Sequence, residues 1–154
     1  MGYSFLRKQA ANMLTFINMI LGLVAILLSI RDNYRLSCIF ITVAALTDYF
    51  DGWVARKLNT TSAIGKFLDS NSDLISFGLA PGLLIYLSVL QQFGIIGIAV
   101  SFIYIICGAF RLARFNAVEF TGYYTGIPIT ISGAVMALSV FARTNKPLVF
   151  LSMR

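Results

Sequence analysis

Asp48, Asp51, Asp69 and Asp73 are four of only six acidic residues in the chain, and all four fall in one stretch, DYFDGWVARKLNTTSAIGKFLDSNSD, between positions 48 and 73. Carboxylates grouped this way can hold a cation, exchange protons, or pair with lysine and arginine. At about 100° per residue on a helix, Asp48 and Asp51 stand about 60° apart on one face. Gly65, Asp69 and Asp73 recur every four residues and form a second stripe, drifting by about 80° in all. Asn59, Thr60, Thr61 and Ser62 read as a turn, with Ser62 as the N-cap of the helix that carries this second stripe. The two helices therefore run antiparallel, and their stripes can face each other as a four-carboxylate cage.

Arg56, Lys57 and Lys66 are the cationic side chains nearby in sequence, fewer than the acids, so a salt-bridge cluster is the weaker reading. An all-oxygen, carboxylate-rich site suits Mg²⁺ or Mn²⁺, and four carboxylates leave room for two ions. A metal pair can polarise a phosphoryl oxygen and steady a departing phosphate. The chain has no histidine and only Cys38 and Cys107, so zinc sites, Cys-His pairs and Ser-His-Asp triads are excluded. Each cysteine lies in an apolar run and is expected as a buried free thiol. Gly52, Ala55 and Gly65 have two readings. Small residues let membrane helices pack closely, and beside the aspartates they also open a slot for a flat or phosphorylated ligand.

The elements that position these residues are apolar. The chain is 58 % hydrophobic and 12 % charged, against about 25 % charged in a soluble domain, and its mean hydropathy is +0.84. Within 154 residues there is room for five or six membrane helices of about 20 residues each. Helices are expected over 14–30, 36–58, 63–90, 94–110 and 123–141. The third is bent or interrupted near Gly78 and Pro81. The fourth runs out through Arg111 and Arg114, and the fifth carries Pro128 in its first turns. The apolar stretch 147–153 is too short to span a bilayer. No small-residue cleavage site comes after the first run, which reads as a retained helix rather than a signal peptide. The expected fold class is all-α: a polytopic membrane helix bundle of five transmembrane helices plus a truncated or partial sixth, in one domain over 1–154.

With the N-terminus inside, Arg7, Lys8, Arg56, Lys57, Lys66, Arg111 and Arg114 fall at cytoplasmic ends, against Arg31, Arg35, Arg143 and Lys146 outside. That bias follows the positive-inside rule and puts the aspartate hairpin on the cytoplasmic side of the plasma membrane. The net charge of +6 then reports loops facing anionic lipid; no nucleic-acid partner is expected.

Written as a string, the hairpin is D-x-x-D-G-x-x-A-R-x₈-G-x-x-x-D-x-x-x-D, carried by Asp48, Asp51, Gly52, Ala55, Arg56, Gly65, Asp69 and Asp73. This resembles the signature of the CDP-alcohol phosphotransferases, integral membrane enzymes of phospholipid synthesis. The flanks LDSNSDLISFGLAP (68–81) and CGAFRLARFN (107–116) resemble the branch that makes phosphatidylserine. So do the first-helix pattern of Asn12, Thr15, Asn18 and Gly22, and the later Gly126-Ile127-Pro128 element. In that branch an alanine usually stands where this chain has Ser72.

The resemblance implies a homodimer of six-helix subunits with a cavity open to the cytoplasm and the membrane. It implies two divalent ions held by Asp48, Asp51, Asp69 and Asp73, CDP lying over Gly52 and Ala55, and Asp73 as general base. Arg56, Gly65, Thr15 and Asn18 would complete the CDP site, although Thr15 and Asn18 can equally serve as interhelical hydrogen-bond partners. The substrates would be CDP-diacylglycerol and L-serine. Arg111, Arg114 and Asn116 can read the serine carboxylate or a lipid phosphate, or act as positive-inside anchors, and Lys66 can contact phosphate or snorkel to the interface. The rival readings are another acceptor, such as glycerol 3-phosphate or inositol phosphate, an archaeal lipid donor, and a divalent-cation carrier.

Overall fold

A computed structural model of the chain describes the backbone of residues 2–58, 63–117 and 128–144, and the side chains of 13–50, 64–114, 116–117 and 128–144. These residues build six α-helices: α1 (Gly2–Ile30), α2 (Tyr34–Leu58), α3 (Ala63–Asp73), α4 (Ala80–Ser88), α5 (Ile95–Ala117) and α6 (Ile129–Thr144). A π-helical stretch, Leu74–Leu79, joins α3 to α4, and a 3₁₀ turn, Leu90–Phe93, leads into α5. No strand occurs among the described residues.

The π stretch is the form taken by the interruption expected near Gly78 and Pro81. The Ala80 N–H reaches back five residues to the Ile75 carbonyl, and Pro81 has no N–H to give. In an α-helix, residue 81 would bond to the Phe77 carbonyl. That carbonyl accepts the Tyr104 hydroxyl of α5 instead, at 2.8 Å. Residues 63–88 thus remain one continuous helical run. Ser101 Oγ adds a second tie from α5, donating to the Gly82 carbonyl at 2.8 Å.

The α1–α2 connection is a Schellman turn. Asp32, at φ 58°, donates its N–H to Ser29 O, and the Asn33 N–H reaches Leu28 O at 2.9 Å. Below it the two helices are joined by hydroxyls. Ser29 Oγ and Ser37 Oγ lie 2.8 Å apart, and both bond to the Ala25 carbonyl.

Burial is distributed as a bilayer would have it. Ser29, Ser37, Ser72, Ser76 and Asn18 are fully buried, while Met13, Ile20 and Leu27 of α1 and Ile103, Ile106 and Phe110 of α5 are exposed. In water this would strand a large apolar surface; among lipid tails, small and hydroxyl residues make the helix contacts. α1 and α5 are long and apolar enough to cross a membrane, and α6 is a shorter apolar helix. The core holds Ala25, Ile41, Ala80, Leu84 and Ala137 in one cluster and Ala44, Phe77 and Ile129 in another.

Several boundaries differ from the expected ones. α1 reaches back to Gly2 through the polar residues before its apolar run, and α5 continues to Ala117 past both arginines. α6 begins at Ile129, one residue after Pro128, a placement that suits proline's missing N–H. The expected start of that helix at 123, Gly126 of the Gly-x-Pro element, the turn at 59–62 with its Ser62 cap, and the stretch 147–153 lie outside the described residues. Cys38 is buried as expected, but Cys107 is exposed. It shares the outward face of α5 with Ile103, Ile106 and Phe110.

Candidate active site

Asp48 stands on the second half of α2, and Asp69 and Asp73 one turn apart on α3. One carboxylate oxygen from each lies within 4.8 Å of the others, and all three residues are half-buried. Of the four carboxylates expected to face one another, these three meet. Asp51 and its neighbours Gly52, Ala55 and Arg56 belong to α2, but their side chains lie outside the described residues.

Three ionised carboxylates at this distance repel one another by roughly 3–4 kcal/mol per pair at an effective dielectric constant of about 20. Positive charge at their centre offsets that cost. The donor set is oxygen only and carboxylate-rich, so the residues present fit a hard divalent cation. Oδ1 of Asp73 is shut off from solvent, which strengthens any ionic contact made there.

α1 forms one wall. Ser72 Oγ donates to the Thr15 carbonyl at 3.1 Å, and Ser76 Oγ to the Asn18 carbonyl at 2.9 Å. Ser72 thus pins α3 to α1 beside Asp73. Thr15 and Asn18 are both buried. The Asn18 carboxamide is fully enclosed, yet neither its nitrogen nor its oxygen meets a hydrogen-bond partner among the described residues. Gly22 lets the helices touch: a Cβ there would collide with Ser76 Oγ and lie 2.8 Å from Ser76 Cα.

The far end of α5 closes another side. Asn116 Nδ2 donates to Ser70 Oγ at 2.9 Å, which sets Asn116 next to the residue after Asp69. Arg111 is half-buried, and Arg114 is exposed in the last turn of α5. Gly65 is half-buried one turn before Asp69, and Lys66 is exposed.

Thr130, which the sequence pattern does not single out, donates to Asp48 Oδ2 at 3.1 Å from the first turn of α6. Its one sequence signal is a hydroxyl two residues after Pro128, where a helix begins. Nothing in the spacing links it to an aspartate 82 positions away.

A carboxylate cluster with a basic helix end beside it suits a phosphorylated ligand bound through a metal ion. Residues 8–152 match the CDP-alcohol phosphatidyltransferase family. The chain belongs to that family. Its relatives include an archaetidylserine synthase of Methanothermobacter thermautotrophicus, 41 % identical over 137 residues, covering 87 % of this chain and 58 % of that protein. A CDP-diacylglycerol–serine O-phosphatidyltransferase of Bacillus subtilis is 39 % identical over 137 residues, covering 88 % of this chain and 76 % of the relative. One of the same name from Helicobacter pylori is 39 % identical over 132 residues, covering 84 % of this chain and 56 % of its own length. The chain thus spans between about half and three quarters of these relatives.

Proposed function

We propose that this chain carries the active site of a phosphatidyltransferase that moves the phosphatidyl group of CDP-diacylglycerol, or of an archaeal CDP-lipid, to the hydroxyl of L-serine, releasing CMP. The carrying observation is the convergence of Asp48, Asp69 and Asp73 within 4.8 Å in a chain of this family. The serine acceptor is supported by the names of the three relatives and by the flanks 68–81 and 107–116.

Asp48, Asp69 and Asp73, together with Asp51, would hold Mg²⁺ or Mn²⁺, two ions per site. When bound, the ions neutralise the diphosphate and stabilise the leaving CMP. Gly52 and Ala55 give CDP a flat bed, with Arg56, Gly65, Thr15 and Asn18 around it. Lys66, Arg111, Arg114 and Asn116 receive the serine carboxylate or a lipid phosphate. Asp73 takes the proton from the serine hydroxyl as that oxygen bonds to the β-phosphorus, and the bond from that phosphorus to the bridging oxygen of CMP breaks. The transfer is a direct displacement. The chain has no histidine, and its thiols sit in the α1–α2 core and on the outward face of α5.

The same proposal places five transmembrane helices plus a partial sixth in one domain over 1–154. It sets the N-terminus inside and the aspartates facing the cytoplasm at the plasma membrane, with the active unit a homodimer.

The test is CMP release by the purified chain in lipid nanodiscs, supplied with CDP-diacylglycerol, Mn²⁺ and a panel of alcohols. Release with serine, lost in Asp73→Asn and in EDTA, is the expected result. Release with glycerol 3-phosphate or inositol phosphate alone reassigns the acceptor. Full activity in EDTA overturns the metal reading, and metal uptake into liposomes without CMP release favours a carrier.

A further inference from the structure

Thr130 brings a third helix to the aspartates, its hydroxyl 3.1 Å from Asp48 Oδ2. An ionised carboxylate only accepts and a threonine hydroxyl can donate, so the direction of this bond is fixed. The bond is charge-assisted, and it occupies one of about four lone-pair sites on Asp48.

The mount for Thr130 is stiff. The N–H groups of Ile131 and Ser132 both close on the Pro128 carbonyl, at 3.1 and 3.2 Å. Ile129 is buried against Ala44 and Phe77. One turn on, Gly133 packs so tightly that a Cβ would lie 2.9 Å from the Phe77 carbonyl. The first turn of α6 is thus seated on the π stretch that comes directly after Asp73. Its N-terminal end also brings the positive pole of the helix towards Asp48.

We infer that Thr130 is a positioning residue of the cation site: its hydroxyl holds the Asp48 carboxylate towards Asp69 and Asp73, so that ligands from α2 and α3 are set before the ion arrives. The inference rests on the reading of the aspartates as a metal site. It adds a partner outside the family's signature, on a third helix. Groups that orient a metal's ligands typically contribute 10–100-fold in metal affinity.

The test needs no substrate. The full chain in nanodiscs is titrated with Mn²⁺, and the free ion is read by electron paramagnetic resonance. Thr130→Val is expected to weaken Mn²⁺ binding by about 10–100-fold, and Thr130→Ser, which keeps the hydroxyl, to return it to within about threefold. Thermal unfolding in EDTA separates this from a general loss of packing, since Thr130→Val should still unfold in one cooperative transition there. Thr130→Ala also lacks the hydroxyl and provides the same comparison if the valine variant fails to fold. Equal Mn²⁺ affinity in the unaltered chain and Thr130→Val overturns this inference alone, as does equal weakening in the valine and serine variants. An unaltered chain that binds no Mn²⁺ overturns the metal reading and this inference together.

Discussion

The Tyr104 hydroxyl and the Phe77 carbonyl, 2.8 Å apart, are joined because Pro81 cannot supply the N–H that an α-helix would place there. Across a helix–helix contact in lipid, an oxygen left without a donor has no water to turn to. Tyr104 therefore fixes α5 against the π stretch just beyond Asp73.

Removing that hydroxyl should cost stability while sparing the shape. Tyr104→Phe is expected to lower unfolding stability by about 1–3 kcal/mol, the penalty for a buried acceptor left unsatisfied. Thermal unfolding in nanodiscs measures it. In a Pro81→Ala background the helix regains its own donor, so the same substitution should cost distinctly less. Equal losses in both backgrounds would show that the bond to Phe77 is not what Tyr104 contributes.

A different contact sets how near α1 lies to the site. Gly22→Ala forces a Cβ into Ser76, whose backbone would lie 2.8 Å away. Overpacking of this kind costs about 1–3 kcal/mol. Because Ser72 and Ser76 tie this surface to Thr15 and Asn18, pushing the helices apart should also reduce CMP release. Gly94→Ala is the comparison. Its position has φ 55° and no atom within 4 Å, so an alanine there carries backbone strain of about 1–3 kcal/mol with catalysis intact. Assays of both variants for melting temperature and CMP release decide this.

The aspartate triad was legible because spacing by four on one helix and an obligatory hairpin leave few ways to place three carboxylates. The bend near Pro81 could be located, but not its form. Whether a helix answers a missing N–H with a kink or a π turn depends on which neighbour offers a donor, here Tyr104. Thr130 was invisible for a related reason: its partner is chosen by how α6 seats on Phe77, not by any pattern within the GIPIT stretch. The exposure of Cys107 was equally hidden, because apolar helices in lipid carry their largest side chains outward and an apolar run does not mark its own buried face.

Asn18 yields the sharpest separation between stability and function. Its carboxamide is completely buried, and neither polar atom is hydrogen-bonded among the described residues. Such groups usually destabilise a fold by about 1–3 kcal/mol, and they persist mainly where function requires them. Asn18→Leu, which keeps the branched shape of the side chain without its polar atoms, is therefore expected to raise the melting temperature of the substrate-free protein. The same change should raise KM for CDP-diacylglycerol, because the amide would no longer meet the nucleotide. A variant that melts lower and keeps its KM would make Asn18 a structural residue of α1. One that melts higher with KM unchanged would leave the buried amide without a role at the nucleotide. Only the pairing of greater stability with weaker substrate binding assigns it to the site.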